Sequence, residues 1–464
     1  MTSLFFLIND KKYLKKNKFF QFFSGIFFGL GINLIVFNWI KEPFYIDPST
    51  QHLSFISYLL VIYCSIYYGF ITFILSFFKN IFSKLMILPI LFLFIEILIA
   101  NVGYGFPWLS FSLSLSSVSF FLGPISFLGS YGLSYLILTI LFLPSLFYII
   151  FVDKNYSIYK MMYLFFIIFL VLICVLKSMV NEAKEFNKNS ELYQISLAQL
   201  NHSLIDKIKN ENDFNRLKNI ENIIKENKSD ILIFSENEYP YLVQNKQEFR
   251  KLANLIKENQ SVIIGATRKE NNNYLNSFVL IEKNNIKYFD KVKLVPFGEF
   301  LPFRNYLSLL DIIVGGNDYS KGNKKRLIKN FDGISFIPII CYEIIFANKL
   351  INTLEDNSDI MINLTNDSWF GSFSGPYQHF YLSLIKAVEL NKMLIRVSSN
   401  GISGIIDKKG KILDFFPLNK KEIKNFNILI NNKSQNIDNY QWLLILFLML
   451  ILFFSIFINL RRNE

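Results

Sequence analysis

A cysteine, a glutamate and a lysine in this chain each stand at the end of an apolar run typical of a buried strand. Cys341 closes Ile-Pro-Ile-Ile-Cys-Tyr-Glu, Glu236 lies in Ile-Leu-Ile-Phe-Ser-Glu-Asn-Glu, and Lys291 lies in Phe-Asp-Lys-Val-Lys-Leu-Val-Pro-Phe-Gly-Glu. A thiol attacks a carbonyl as its thiolate, so its proton must be removed near neutral pH. A carboxylate can take that proton, and an ammonium can stabilise the thiolate and then the tetrahedral oxyanion. The three residues predict a nucleophile, a base and a cation.

The strand-end positions have a physical meaning of their own. Ligands of α/β sheets collect outside the carboxyl ends of strands, and the backbone N–H of Tyr342 is a natural second oxyanion donor. Taken singly, each residue has an ordinary interpretation: a cysteine after a strand is usually core, and a strand-end glutamate or a lysine beside another lysine is usually solvated. The combination favours a catalytic site.

The segment that carries these residues alternates between apolar, β-rich runs and polar amphipathic stretches, which predicts an α/β domain over residues 178–437. The strand candidates are 195–200, 230–236, 261–268, 275–282, 334–341, 359–364 and 394–406. The helix candidates are 213–226, 246–259, 346–356 and 376–391.

The composition is that of a membrane protein. The 464 residues have a mean hydropathy of +0.33 and are 52% hydrophobic, with 51 phenylalanines. Six windows are long enough to cross a bilayer core of about 30 Å, at residues 19–40, 53–78, 85–101, 130–152, 161–176 and 440–460. The stretch Ser3 to Ile8 is too short for a signal sequence, so the first span is predicted to be an uncleaved anchor.

Basic residues flank alternate crossings and predict the topology. They precede the first span at Lys11, Lys12, Lys15, Lys16 and Lys18 and recur at Lys79, Lys84, Lys154, Lys160, Arg461 and Arg462. By the positive-inside rule these positions are cytoplasmic, which puts the large polar segment on the other side, the periplasm of a bacterium with two membranes. The predicted domains are a cytoplasmic basic tail (1–18), a membrane domain with five helices (19–177), an extracytoplasmic catalytic domain (178–437) and a C-terminal membrane helix with a short tail (438–464).

Several functional classes fit this sequence poorly. The net charge of +12 comes largely from dispersed lysines, without a recognisable element that reads nucleic acid. Three histidines are too few for a typical imidazole metal cluster, and His379, a base in principle, is predicted to be a partly buried helix residue. Cys64 and Cys174 fall in apolar segments as ordinary core thiols, so no disulfide framework is expected.

Longer strings around these residues match a known pattern. The chain order Glu, Lys, Cys resembles the nitrilase superfamily. Four strings closely resemble the apolipoprotein N-acyltransferases of bacterial inner membranes: Phe-Asp-Lys-Val-Lys-Leu-Val-Pro-Phe-Gly-Glu (289–299), Ile-Cys-Tyr-Glu-Ile (340–344), Asn-Asp-Ser-Trp-Phe-Gly (366–371) and Arg-Val-Ser-Ser-Asn-Gly (396–401). The membrane half is similar too, at Gly31-Ile32-Asn33, Glu96 and Gly105-Phe106-Pro107-Trp108-Leu109.

The resemblance implies a fold and a set of roles. The fold is a polytopic α-helical membrane domain joined to a nitrilase-like four-layer α-β-β-α sandwich. Glu236 is the implied general base, Lys291 the oxyanion and thiolate stabiliser, and Cys341 the nucleophile. Supporting site residues are Glu299, Tyr342 and Glu343. Glu299 would keep the lysine charged and oriented, the alternative being that it only caps the turn after Pro296 and Gly298.

The implied substrate-binding residues are aromatic or lie within the membrane: Trp369, Phe370, Trp108 and Glu96. The first two have an alternative role as core or membrane-interface anchors. An acid inside a span is costly and therefore more often functional or specifically paired. Glu96 is expected to organise a polar face beneath the active site; the alternative is a neutral glutamate hydrogen-bonded to a neighbouring helix.

The implied reaction is a ping-pong acyl transfer. The thiolate takes an acyl chain from a phospholipid, and the amine of a diacylglyceryl-cysteine at the N-terminus of an apolipoprotein then attacks the thioester. No cofactor is implied, the partners are these two substrates and membrane lipid, and a monomer is expected. The family usually has eight spans, and the first of the six predicted here resembles the family's third. Because the difference is an even number of spans, the predicted topology is retained.

Two other functions compete with this one. The same three residues could transfer the acyl group to water, as in a membrane-tethered amidase, ester hydrolase or thioesterase. A transporter or scaffold with an inactive appended domain is the other alternative, and it predicts ordinary function after Cys341→Ala. Glu96 is the single acid expected within the spans, and one intramembrane acid gives little support to an ion pathway through a transporter.

Overall fold

The computed structural model describes residues 1–14, 17–152, 157–182, 191–202, 204, 207, 212–306, 317–323, 326–330, 332–351, 358, 360–430 and 441–461. The chain forms two compact units. The membrane unit comprises Met1–Asn38, Phe55–Glu185 and Ile437–Glu464. The α/β unit comprises Trp39–Ser54 and Phe186–Asn436. The segment Trp39–Ser54, which joins the first two predicted spans, therefore clusters with the α/β unit.

The prediction of six long apolar helices is confirmed over the described residues. Each is long and apolar enough to cross a membrane: Lys18–Val36, Gln51–Leu75, Ile81–Asn101, Ile125–Val152, Ile158–Leu176 and Leu443–Leu460. The first ends before the predicted boundary at residue 40, because a 3-10 helix over Asn38–Tyr45 containing Pro43 replaces it. A short helix over Thr2–Asn9 precedes the first span and buries Leu4, Phe5 and Ile8.

Small residues let the first two of these long helices approach closely. A Cβ on Gly25 would lie 2.4 Å from the carbonyl oxygen of Tyr68 and 2.3 Å from the hydroxyl of Thr72. Between the same helices, the buried amide of Asn33 donates a 2.9 Å hydrogen bond to the hydroxyl of Ser65. Backbone proximity and a hydrogen bond between polar side chains are common ways of joining helices in lipid.

The α/β unit contains two six-stranded sheets. The first sheet has the order β12-β1-β2-β3-β4-β5, with β1 (Glu191–Gln199), β2 (Ile231–Phe234), β3 (Ser261–Glu270), β4 (Asn273–Ile281), β5 (Ile286–Asp290) and β12 (Glu422–Ile430). The second has the order β11-β10-β9-β8-β7-β6, with β6 (Ile328–Lys329), β7 (Ser335–Ile340), β8 (Ile360–Thr365), β9 (Met393–Ser398), β10 (Ser403–Ile406) and β11 (Ile412–Phe416).

Each sheet has three parallel strands at its centre, β1-β2-β3 and β7-β8-β9, flanked by antiparallel strands. The sheets contact each other where β4 meets β7 and where β1 and β2 meet β9. The outer face of the first sheet is covered by the helix Asp213–Glu226, whose Ile220 and Ile224 join the buried cluster. The helix Ser374–Leu390 packs against β9 and the 3-10 helix Cys341–Phe346. This arrangement confirms the predicted α-β-β-α sandwich.

Several predicted elements differ from the structure. The helix predicted over 246–259 is a 3-10 turn, Lys246–Phe249, and one helical turn, Arg250–Ala253, because i to i+3 hydrogen bonds end it. The strand predicted over 394–406 is a hairpin, because residues 399–402 form its turn, with Asn400 and Gly401 among them. The helix predicted over 346–356 is Ala347–Leu350, with residues 352–357 outside the described part. Strands β5, β6, β11 and β12 were absent from the prediction.

Candidate active site

Three strand ends deliver the predicted nucleophile, base and cation to one place. Cys341 directly follows β7, Lys291 directly follows β5, and Glu236 comes just after β2. All three side chains are buried, with 6%, 1% and 5% of their surfaces exposed. Burial matters here because charge interactions are stronger away from water.

Lys291 lies between two carboxylates. Its Nζ is 2.7 Å from Oε1 of Glu299 and 3.6 Å from Oε1 of Glu236. Burial by itself would lower the pKa of Lys291, but the charges of Glu299 and Glu236 outweigh burial and hold the pKa well above its ordinary value. The lysine therefore stays a cation. Glu299 also accepts a 2.8 Å hydrogen bond from the backbone N–H of Val295, so it both pairs with the lysine and caps the turn.

Glu236 is held by an asparagine that sequence reasoning missed. Asn276, on β4, donates a 2.8 Å hydrogen bond to Oε1 of Glu236 and a 3.2 Å bond to Oε1 of Glu299. Burial and the nearby charge of Glu299 raise the pKa of Glu236, against the lowering effect of Lys291, Asn276 and a hydrogen bond from the Cys341 thiol. A carboxylate with a raised pKa next to a thiol is suited to accept and return a proton.

A glycine on β3 lets the backbone of Glu236 come close. A Cβ at Gly265 would lie 2.6 Å from the Cα of Glu236 and 2.7 Å from the carbonyl oxygen of Ser235. The Gly265 N–H donates a 3.0 Å hydrogen bond to that same oxygen. Only a residue without a side chain fits this approach.

Cys341 begins a 3-10 helix, Cys341–Phe346, in a backbone conformation uncommon for a side-chain-bearing residue, with φ of 51°. Such strain collects at functional sites. Burial and the charge of Glu236 raise the pKa of the thiol, while Lys291 lowers it. The net pKa is well above the ordinary thiol value, so the resting sulfur is protonated and needs a base. Tyr342, next in the chain, is buried against Phe346.

Glu343 fixes the cysteine and lysine segments to each other. Its Oε1 accepts hydrogen bonds of 2.8 and 2.9 Å from the backbone N–H groups of Val292 and Lys293, just after Lys291. Its Oε2 accepts a 3.0 Å bond from Ile340, just before Cys341. A second missed residue, Arg326, donates to both oxygens of Glu343 at 2.8 and 3.1 Å. Glu343 thus positions the site through the backbone.

A second charged network approaches the cysteine from β8 and β9. Arg396 donates to both oxygens of Asp367 at 3.0 and 2.8 Å, and Nδ1 of His379 lies 2.8 Å from Oδ1. The hydroxyls of Thr365 and Ser398 complete the shell of Asp367 at 3.1 and 3.2 Å. Burial alone would raise the pKa of Asp367, but Arg396 and His379 hold it far below its usual range. His379 is fully buried, where a partly buried residue was predicted.

Phe370 and Trp369 occupy different environments. Trp369 is 39% exposed. Phe370 packs its ring against His379, at a centroid distance of 5.2 Å, and against Trp39, at 4.9 Å. Trp39 also donates a 3.0 Å hydrogen bond to Oε1 of Gln378, so the segment before the second span is fixed to the α/β unit. Trp39 had no signal in the sequence beyond being a tryptophan near a span end.

The two remaining predicted binding residues, Glu96 and Trp108, belong to the membrane unit. Glu96 is buried and accepts hydrogen bonds from the Ser110 hydroxyl at 2.7 Å, the Ser134 hydroxyl at 3.0 Å and the Phe111 N–H at 3.2 Å. Ser134 lies on the helix Ile125–Phe147, so Glu96 is hydrogen-bonded to a neighbouring helix, and its role in substrate binding stays a prediction. Trp108 is fully buried.

A second glutamate, close to the candidate base in sequence, has a different environment. Glu238 is fully buried, with Lys207 at 2.9 Å, His202 at 2.5 Å and the Ser235 hydroxyl at 2.5 Å. Burial would raise the pKa of Glu238, but Lys207 and His202 hold it far below its usual range. It is a paired structural charge, distinct from Glu236.

The fold and this buried Glu-Lys-Cys cluster define the class of the protein. Residues 194–429 match the family model described as carbon-nitrogen hydrolase, which covers the α/β unit from β1 to β12. The chain is therefore a carbon-nitrogen hydrolase-type protein that also carries long apolar helices.

The membrane half narrows this class to one family. Residues 1–143 match the model described as the N-terminal domain of apolipoprotein N-acyltransferase. An apolipoprotein N-acyltransferase of Rickettsia typhi is 30% identical over 358 residues, covering 75% of this chain and 70% of the relative. Another, from Allorhizobium ampelinum, is 35% identical over 210 residues, covering 42% of this chain and 39% of the relative. The chain belongs to the apolipoprotein N-acyltransferase family, as its sequence motifs predicted.

Proposed function

We propose that this protein transfers an acyl chain from a membrane phospholipid to the N-terminal amine of a diacylglyceryl-cysteine in an apolipoprotein. The observation that carries the proposal is Lys291 held at 2.7 Å from Glu299 and 3.6 Å from Glu236, beside a buried thiol. Family membership and the apolar helices support a lipid as the acyl donor, because a lipid ester is available at the membrane surface.

In the first half-reaction the Cys341 thiol gives its proton to Glu236, and the sulfur attacks the ester carbonyl of the phospholipid. The oxyanion that forms is stabilised by the ammonium of Lys291 and by the backbone N–H of Tyr342, which lies in the first turn of its 3-10 helix, where N–H groups have no partner within the helix. The C–O bond then breaks, and Glu236 returns the proton to the leaving lysophospholipid oxygen. A thioester on Cys341 remains.

In the second half-reaction the α-amine of the diacylated cysteine attacks that thioester. Glu236 accepts a proton from the attacking nitrogen, the C–S bond breaks, and the sulfur regains a proton from Glu236. An amide is formed and the enzyme returns to its starting state. Glu299 keeps Lys291 charged while Glu236 changes protonation, because two carboxylates share the one ammonium.

We place the α/β unit on the extracytoplasmic side of the inner membrane of a bacterium. The basic residues around the spans, such as Lys79, Lys84 and Lys160, support this topology by the positive-inside rule. Trp369, which is 39% exposed, and Phe370 are the proposed contacts to the acyl chain or the lipid surface.

The test is a transfer assay with purified full-length protein in phospholipid vesicles and a synthetic diacylated lipopeptide. The expected product is the triacylated peptide together with an equal amount of lysophospholipid, and Cys341→Ala is expected to give neither. Release of free fatty acid without modified peptide would replace the transferase by a hydrolase. Normal product from Cys341→Ala would reject the proposed chemistry.

A further inference from the structure

A threonine hydroxyl lies between the candidate nucleophile and the buried carboxylate of the second network. Thr365 is the last residue of β8 and is fully buried. Its Oγ1 is 3.3 Å from the sulfur of Cys341 and 3.1 Å from Oδ1 of Asp367. Neither the family strings nor the proposed half-reactions give this residue a role.

One hydroxyl proton cannot be donated to both neighbours at once. Asp367 is ionised, since Arg396 and His379 hold its pKa far below the usual range, and a carboxylate can only accept hydrogen bonds. While the sulfur of Cys341 carries its own proton, the hydroxyl of Thr365 therefore donates to Asp367. When the sulfur becomes a thiolate, it is an acceptor in reach of the same hydroxyl.

Asp367 can release that hydrogen bond without becoming unpaired. Arg396 donates to both of its oxygens at 3.0 and 2.8 Å, Nδ1 of His379 lies 2.8 Å from Oδ1, and the Ser398 hydroxyl donates to Oδ2 at 3.2 Å. Rotation of the Thr365 hydroxyl therefore leaves no buried acceptor without a donor, which is the usual cost of breaking such a bond.

The charges that face the sulfur show what this donor changes. Besides burial, Glu236 and Asp367 raise the pKa of Cys341, while Lys291 and the Thr365 hydrogen bond lower it. Glu236 approaches from β2, Lys291 from β5 and Asp367 from β8. Without the hydroxyl, the thiolate would face the negative charge of Asp367 with no donor between them.

We propose that Thr365 is a positioning residue for Cys341, turning its hydroxyl proton from Asp367 to the sulfur when Glu236 removes the thiol proton. One proton moves from sulfur to the Glu236 carboxylate, and the hydroxyl proton stays covalently bound to the Thr365 oxygen throughout. Thr365 then donates its hydrogen bond to the thiolate instead of to Asp367. This role rests on the proposed function, in which that thiolate is the attacking group.

The test is the rate of alkylation of Cys341 by iodoacetamide as a function of pH, in full-length protein carrying Cys64→Ala and Cys174→Ala. Thr365→Val keeps the shape and removes the hydroxyl. It is expected to shift the reactivity profile to higher pH and to lower the rate near neutral pH roughly 10- to 100-fold, since a hydrogen bond to a charged group is lost. Thr365→Ser, which restores a hydroxyl, is expected to restore the rate.

Ser398→Ala is the matched control, because it removes another hydroxyl from Asp367 without touching the sulfur. Its alkylation profile is expected to match that of the parent. A Thr365→Val profile equal to the parent's, or an equal shift in Ser398→Ala, would overturn the proposal. If Thr365→Val does not fold, Thr365→Ala and Thr365→Ser are compared by the same criterion. The assay uses no lipid, so its result is separate from failure of the acyl transfer itself.

Discussion

Two buried carboxylates flank Cys341, one reached from each sheet, and they are held in opposite ways. Glu236, at the end of β2, accepts a hydrogen bond from Asn276 and shares one lysine with Glu299, and its pKa is raised. Asp367, after β8, accepts hydrogen bonds on both oxygens from one nitrogen of Arg396 and lies against His379, and its pKa is far below the usual range.

The difference teaches that partners, not residue type or burial, decide what a buried acid does. The Lys291 ammonium, 3.6 Å from Glu236, is shared with Glu299. The pKa of Glu236 therefore stays raised, which suits its carboxylate to accept a proton from a thiol. Asp367 pairs with the guanidinium of Arg396 at 2.8 Å, so it stays ionised and serves as a fixed charge. In the proposed mechanism, the Glu236 side moves a proton and the Asp367 side orients the groups around it.

The strongest way to break this comparison is Glu236→Gln. The amide keeps the shape and an oxygen for Asn276 but cannot accept a proton, so acyl transfer is expected to fall roughly 10²- to 10⁴-fold. A raised carboxyl pKa in the folded state means that the ionised group costs stability at neutral pH, so the thermal midpoint should stay equal or rise.

Glu238→Gln is the control for that variant, because Glu238 is equally buried but paired with Lys207 and His202. It is expected to lower the thermal midpoint and to leave the rate per folded molecule unchanged. Equal rates for Glu236→Gln and the parent would mean that Glu236 is not the base.

Asp367→Asn tests the other side. It leaves the buried guanidinium of Arg396 without its counter-ion, which is expected to cost about 3–5 kcal/mol of stability. Because the folded pKa of Asp367 is depressed, its contribution is fully present above the unfolded value of about 3.9 and is lost progressively as pH falls from there through the lower folded pKa. Denaturant unfolding at neutral and acidic pH should show the gap between parent and variant narrowing in acid. A variant as stable as the parent at neutral pH would contradict the fixed-charge role.

The pH dependence of enzyme acylation sharpens the comparison further. Glu236 must be ionised to act as base, so the rate should fall about tenfold per pH unit below its folded pKa, which lies above the ordinary glutamate value of about 4.3. Single-turnover acylation measured across acidic pH gives this limb directly. In Glu236→Gln the residual rate should not fall in acid in this way. The same fall in that variant would assign the titration to another group.

The smallest expected effect is that of Trp39→Phe, which lies beyond both networks. The ring contact with Phe370 is kept and the hydrogen bond to Gln378 is lost, so about 0.5–1.5 kcal/mol of stability should be lost. Gln378→Leu removes the same bond from the other side and serves as the partner in a double-mutant cycle. Additive losses in the double variant would show that the two side chains do not interact.

Much of the fold could be predicted from the sequence, because long apolar windows and β-branched runs are strong local signals. The six spans and the central strands β2, β3, β7 and β8 were predicted in this way. Short or edge elements were not, since β5, β6, β11 and β12 depend on neighbours that a local pattern does not contain. The segment Trp39–Ser54 reads as an interspan loop, and only its packing reveals that it belongs to the α/β unit.

The candidate site divides in the same way. Glu236 and Cys341 lie at the ends of predicted strands, so their meeting could be predicted from topology. Lys291 follows β5, which was not among the predicted strands, and only its surrounding sequence string singled it out. Asn276 has only a weak signal, since it is one of several polar residues in its strand, and Arg326 has none. Thr365 looks like an ordinary strand residue, and its position between a thiol and a carboxylate depends on the register of β7 against β8.

The most direct test of the central claim is a mass measurement on the full chain incubated with phospholipid vesicles and no acceptor. The expected result is an increase of one acyl chain, located by peptide mapping at Cys341, released by neutral hydroxylamine as a thioester, and absent from Cys341→Ala. Acylation at another residue, or an unmodified Cys341 in preparations that still form triacylated lipopeptide, would contradict it.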